Sequence, residues 1–414
     1  MSFSSLSLQS ELIAALPEEI QSPTSIQSLV IPELLEARDI IAMANTGSGK
    51  TLAYGLPLLQ MLKEAQTPSP FVQALILVPT RELAIQVSRS LDVIAKKLGI
   101  KSMSVCGGVD KAEQLAELTQ TPAILVATTG RLLDLVNSGE VDLAKVKHLI
   151  LDEADRLLDM GFWQDVQSIA GNTPNTRQTA MFSATFSDEL KLKANQLLVN
   201  PKQLAADKEN SVNQQIAEEL YLVNKGSKAN ALIELIKRNQ WPQALIFIGA
   251  KENADKLTKK LSKAGIAASA LHGNKSQADR EQTLADYKQG SIKVLIATDL
   301  LARGVDIANL PVVINFDLPP YAETYVHRVG RTARAGKSGT AISLVCHAEM
   351  EALNAIRTLT SRELVLNELE GFPVTDKPSS GESKRAPRDK KANRRTQGKK
   401  SIKQFQSKGR NKRS

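Results

Sequence analysis

The sequence predicts an α/β protein with two parallel-sheet domains in tandem and a basic tail. Three observations predict it. Short apolar runs alternate with longer stretches of helical period through residues 39–345, the pattern of parallel strands joined by flanking helices. The pattern lapses once, over the polar residues 200–213 that open on Asn200 and Pro201, and then resumes. From residue 371 apolar periodicity stops, and Lys, Arg, Ser, Gly and Asn dominate, a composition that cannot bury a core. The expected layout is a first domain at 1–204, a linker at 205–216, a second domain at 217–370 and a disordered tail at 371–414.

In the first half, strands are expected at residues 39–44, 74–78, 124–128, 147–151 and 179–182, with helices between them such as 52–63 and 82–97. In the second half, strands are expected at 244–248, 268–271, 294–297, 312–316 and 340–345. Helices at 253–264, 277–288 and 322–329 separate them. The halves share an architecture without a visible sequence repeat.

Composition narrows the function. The 414 residues suffice for two or three domains, and 42% hydrophobic content is that of an ordinary folded protein. No apolar run reaches the roughly 18 residues that would suggest a membrane span, and the N-terminus lacks the pattern of a signal peptide. A cytoplasmic protein with no membrane partner is expected. The two cysteines, Cys106 and Cys346, form no metal-ligand or disulfide pattern and read as buried thiols. The net charge of +9 is uneven. Residues 376–414 hold 15 Lys and Arg against 3 acidic residues, which leaves 38 basic and 41 acidic residues elsewhere. Any nucleic acid held by the body must be held by local donors, with the tail as an additional tether.

Residues 44–51, which run from Ala44 through Thr46, Gly47, Ser48, Gly49 and Lys50 to Thr51, stand between an expected strand and an expected helix. That is the setting of a phosphate-binding loop. Glycines turn backbone N–H groups toward phosphate oxygens at a helix N-terminus, Lys50 reaches the terminal phosphates, and the Thr51 hydroxyl ligates Mg²⁺. Residues 148–155 form an apolar strand that ends in Asp152, Glu153, Ala154 and Asp155. Asp152 would hold Mg²⁺, and Glu153 would orient and deprotonate water. The pair suits ATP hydrolysis.

These residues resemble the DEAD-box ATP-dependent RNA helicases, and Asp152, Glu153, Ala154 and Asp155 spell the family signature. The resemblance covers roughly residues 3–360 and implies two RecA-like domains. It implies that Pro23, Thr24 and Gln27 read adenine with Phe3 stacked on the base, although Glu19 and Ile20 replace the usual glycine and aromatic residue. It also implies that Gly304, Asp306, Arg331 and Arg334 complete the nucleotide site. His327, Arg331 and Arg334 join Lys50, Asp152 and Glu153 as catalytic residues, with Arg331 and Arg334 on one face of a helix. Ala333 replaces a usual glycine there, and Thr129 a usual proline in the loop after residue 128. Asp155, Ser183, Thr185 and Arg303 would couple hydrolysis to strand separation. RNA phosphates would meet Pro79, Thr80, Arg81, Gly107, Gly108, Thr128, Gly130 and Arg131 in the first domain, and Gln277, Arg280 and Thr298 in the second.

The resemblance implies a monomer that closes on ATP, Mg²⁺ and RNA together, unwinds short duplexes or remodels RNA–protein complexes, and reads little base sequence. Protein partners in RNA decay or ribosome assembly fit such a chain. Two other readings are a clamp that binds ATP without turnover and a DNA helicase.

Overall fold

The computed structural model describes residues 2–44, 47–65, 71–206, 215–299, 310–333 and 338–377. Two seven-stranded sheets form its frame. The first contains β1 (Ile40–Met43), β2 (Ala74–Val78), β3 (Ser102–Val105), β4 (Ile124–Thr128), β5 (His148–Leu151), β6 (Gln178–Ser183) and β7 (Lys202–Ala205). The second contains β8 (Ile216–Leu222), β9 (Ala244–Phe247), β10 (Ala268–Leu271), β11 (Val294–Ala297), β12 (Val312–Asn315), β13 (Gly339–Val345) and β14 (Leu366–Glu368). Their orders are β3-β4-β2-β5-β6-β1-β7 and β10-β11-β9-β12-β13-β8-β14. Counted from its own first strand, each lobe therefore has the same order, and the described pairings are parallel. One architecture has been built twice from unlike sequences.

Covered sheets explain the apolar runs. In β2, Ala74, Ile76 and Val78 feed the hydrophobic cluster on one face, while Leu75 and Leu77 feed that on the other. Successive side chains point to opposite faces, so a strand buried on both must be apolar throughout. The sequence pattern missed β3, β7, β8 and β14. Three of them are sheet edges and β8 is next to one. Each carries polar or half-exposed side chains and is held mainly by backbone pairing, which no apolar run announces.

The described chain continues to fold past residue 371. Phe372 packs against the second lobe's core, and the Asn224 side chain donates to Thr375 Oγ1 at 2.9 Å and accepts from its backbone N–H at 3.0 Å. Residues 378–414 and the linker residues 207–214 lie outside the described residues. No described helix is long and apolar enough to cross a membrane.

Candidate active site

The phosphate loop follows β1 and leads into the helix Lys50–Glu64. Gly47 and Gly49 have φ of 83° and 94°, a left-handed backbone that glycine adopts without strain. A Cβ on Gly49 would also lie 2.6 Å from Gln27 Nε2. Gln27 thus packs on the loop. Its Nε2 donates to the Gly49 carbonyl at 3.1 Å, and its Oε1 accepts from the Thr24 N–H at 3.0 Å. Thr24 caps the helix Ser25–Leu35 in return. Gln27 so staples this helix to the phosphate loop, and one amide hydrogen is left for a base edge. Lys50 is buried and donates to the Ala44 carbonyl at 3.1 Å. The Ser48 hydroxyl is buried with no hydrogen-bond partner, an orphan that a phosphate oxygen would satisfy. Phe3 departs from its expected role: it is 3% exposed in the first lobe's core and presents almost no face to a base. Thr46 lies outside the described residues.

The acids arrive at the C-terminal end of β5, where ligands gather in open α/β sheets. Asp152 is buried. Its Oδ1 accepts from the Glu153 N–H at 2.9 Å and its Oδ2 from the Tyr54 hydroxyl at 2.8 Å. Burial raises its carboxyl above the ordinary range, while Lys50 opposes the shift. Glu153 has φ of 52°, a strained conformation for a residue with a side chain. Burial pushes its carboxyl up, but Arg156, Arg331 and Lys50 together hold it down at about 2. Arg156, fully buried, is ion-paired with it.

Asp155 is the meeting point. Its Oδ2 accepts from the Thr185 N–H at 3.0 Å, the Thr185 hydroxyl at 2.8 Å and, across the cleft, faces His327 Nε2 at 3.1 Å. Burial works against its charge, but His327, Lys50 and Ser183 outweigh burial and hold the carboxyl far below the ordinary range. The Ser183 hydroxyl donates to the Thr185 carbonyl at 2.6 Å and accepts from the Asp155 N–H at 3.4 Å. Ser183, Thr185 and the acidic turn therefore form one hydrogen-bonded unit that touches the second lobe.

That contact comes from the helix Ala322–Val329. The helix expected to carry Arg331 stops at Val329, and Arg331 lies in the turn that follows. Ala333 is left-handed, with φ of 52°, so this is a position that glycine would fill at less strain, not a helical one. Arg331 is buried and close enough to Glu153 to lower its pKa. Arg334, Arg303, Gly304 and Asp306 lie outside the described residues. Sequence reasoning missed Arg328. Fully buried, it pairs through Nε and Nη2 with both Asp299 oxygens at 2.6 and 2.8 Å, and its Nη1 donates to Asn315 Oδ1 at 3.1 Å and to the Asp317 carbonyl at 2.6 Å. The guanidinium also stacks over Phe247 at 4.9 Å.

The RNA candidates follow strand ends on both lobes. Pro79 is buried, and Thr80 caps the helix Arg81–Ala95. Arg81 donates to the Gly108 carbonyl at 2.9 Å, and Arg131 to the Val109 carbonyl at 3.1 Å. The Thr128 hydroxyl accepts from the Gly107 N–H at 3.4 Å. These residues brace the glycine loop, and Gly130 stands exposed beside Arg131. Thr129 begins the helix Thr129–Asn137, a first-turn position that proline also tolerates, so its replacement of proline leaves the turn intact. In the second lobe, Arg280 donates to the carbonyls of Lys275 and Gly273 at 3.1 and 3.0 Å and lies 3.8 Å from Glu82 of the first lobe. Gln277 opens the helix Gln277–Lys288, and Thr298 follows β11 half-buried.

Family profiles agree with this geometry. The DEAD/DEAH box helicase profile matches residues 24–192, and that of the helicase conserved C-terminal domain matches 227–336. The chain is 38% identical over 365 residues to the DEAD-box ATP-dependent RNA helicase CshA of Bacillus licheniformis, with 88% of this chain and 74% of that protein covered. It is 41% identical over 334 residues to the pre-mRNA-processing ATP-dependent RNA helicase PRP5 of Mycosarcoma maydis, with 78% of this chain but only 29% of that longer protein covered. Among solved structures, S. cerevisiae Dbp5 bound to RNA and ADP BeF3 matches with a TM-score of 0.79 at 32% identity, over 89% of this chain and 95% of that one. The chain belongs to the DEAD-box family of ATP-dependent RNA helicases.

Proposed function

We propose that this ATP-dependent RNA helicase works as a two-lobed clamp whose ATP site is complete only when the lobes meet. The observation that carries the reading is the shared surroundings of Glu153 and Asp155. Arg331 bears on the first, and His327 lies 3.1 Å from the second, both from the other lobe. Lys50 and the phosphate loop belong to one lobe and Arg331 to the other, so closing unites the parts of the site. In the reading proposed here, Glu153 orients water for attack on the terminal phosphoryl group and Arg331 neutralises the developing charge, with Arg334 assigned the same task.

Two hard oxygen donors, the Thr51 hydroxyl and the Asp152 carboxylate, fit Mg²⁺, which favours one or two protein oxygens plus substrate phosphates and water. When bound, Mg²⁺ would neutralise phosphate charge. RNA lies along Arg81, Gly107, Gly108, Thr128, Arg131, Gln277, Arg280 and Thr298 and is held through phosphates and 2′-hydroxyls. Closing on one strand bends it away from A-form and expels its partner, and hydrolysis releases the lobes.

The same proposal takes residues 205–216 as the linker between the lobes, the protein as a cytoplasmic monomer and the tail as an RNA tether. The deciding experiment compares ATP turnover with RNA and with DNA of one sequence. Stimulation by RNA alone supports the reading. Equal stimulation by both makes the chain a general nucleic-acid helicase, and none by either makes it a clamp without turnover.

A further inference from the structure

Tyr54 lies one helical turn beyond Thr51 on the helix that starts at the phosphate loop. Its side chain is fully buried, and its ring packs edge-on against Phe182 with centroids 5.0 Å apart. A phenylalanine would fill this space equally well. The hydroxyl must therefore be explained by its partners, because a buried hydroxyl left unpaired costs about 1–3 kcal/mol. Its partner is Asp152 Oδ2, to which it donates at 2.8 Å. The other Asp152 oxygen accepts from the Glu153 N–H, so the carboxylate is fixed at both ends.

We propose that Tyr54 is a positioning residue that fixes the Asp152 carboxylate toward the magnesium–nucleotide complex. The proposal rests on the reading of Thr51 and Asp152 as the metal-facing pair. The phenol itself touches neither nucleotide nor metal. It sets the direction of a ligand, as the partners surrounding metal ligands commonly do. Replacing it by phenylalanine keeps the contact with Phe182 and leaves Asp152 Oδ2 without its donor, in a buried place where water does not readily substitute.

The test titrates Mg²⁺ against binding of a fluorescent ADP to the full chain and reads the Mg²⁺ concentration at half-maximal tightening. Tyr54→Phe is expected to need roughly tenfold more Mg²⁺, with ADP affinity in EDTA unchanged. An unchanged Mg²⁺ midpoint overturns the proposal. So does an equal loss of ADP affinity in EDTA, which would make Tyr54 merely structural. Asp152→Asn separates the two levels. If it shifts the midpoint and Tyr54→Phe does not, the Tyr54 proposal alone fails. If Asp152→Asn leaves the midpoint unmoved, the metal-facing pair fails and the proposal with it.

Discussion

His327 Nε2 lies 3.1 Å from Asp155 Oδ2, although the two residues stand 172 positions apart in sequence and on different lobes. The same carboxylate oxygen accepts from Thr185. One atom thus joins the acidic turn, the Ser183–Thr185 segment and the opposite lobe, two residues along the chain from Glu153.

Replacing His327 removes that junction without touching the phosphate loop. A hydrogen bond to a charged group contributes about 1.5–3 kcal/mol, so His327→Ala should lower RNA-stimulated turnover roughly 10- to 100-fold. Affinity of the protein for ADP without RNA should stay close to wild type. Steady-state ATPase assays paired with ADP titration check both halves.

Glu153→Gln should retain ATP and RNA binding and lose turnover by roughly two orders of magnitude or more. The wild-type carboxyl is held at about 2, so kcat should show no acidic limb from this group between pH 5 and 7, a range assumed here for assay. The stability consequence has a definite sign. A carboxyl lowered from 4.5 to about 2 stabilises the fold fully above about pH 4.5, and that contribution is lost as pH falls toward 2. Glu153→Gln should therefore be less stable than wild type at neutral pH, with a gap that narrows in acid. Denaturant midpoints of both proteins at the two pH values check it.

Arg328→Lys should destabilise the second lobe by about 1–3 kcal/mol, the cost of leaving buried hydrogen-bond partners unsatisfied while the charge opposite Asp299 remains. A lysine ammonium cannot reproduce the two-pronged pairing with Asp299 together with the bonds to Asn315 and Asp317. Thermal unfolding followed by a probe in the second lobe should show the loss. An unchanged midpoint would mean the network contributes no net stability.

Much of this was legible beforehand, and the reason is physical. Central strands such as β2 are buried on both faces, so they must be apolar and stand out. Chemistry that runs through contiguous residues, as at Gly47–Thr51 and Asp152–Asp155, is visible for the same reason. What stayed hidden depends on contacts between distant positions or on backbone shape. Tyr54 looks like one more apolar residue of a helix until its hydroxyl meets Asp152. Arg156 gains meaning only from its ion pair with Glu153. The turn that carries Arg331 was read as helix because Arg331 and Ala333 suit a helix, while the structure ends the helix at Val329 and makes Ala333 left-handed. The polar edge strand β7 (Lys202–Ala205) lies inside the polar stretch 200–213 that separates the two halves.

Deleting residues 376–414, which carry 15 Lys and Arg against 3 acidic residues, should weaken RNA binding at low salt and flatten its dependence on salt, since fewer counterions are released. RNA-stimulated kcat at saturating RNA should stay within about twofold, as expected where only affinity is lost. Filter binding across a salt series checks the first part. A slope equal to wild type would leave the tail no part in binding.

The central claim is that ATP and RNA share one closed state. Its most direct measure is the affinity for a non-hydrolysable ATP analogue with and without a short single-stranded RNA, set beside the affinity for that RNA with and without the analogue. Coupling through a shared state requires both affinities to tighten by one common factor. The clamp predicts a factor of roughly 5 to 150, the span of 1–3 kcal/mol of coupling, and its fall toward one in Arg331→Ala. Affinities that are independent of each other in the wild-type protein would contradict the clamp.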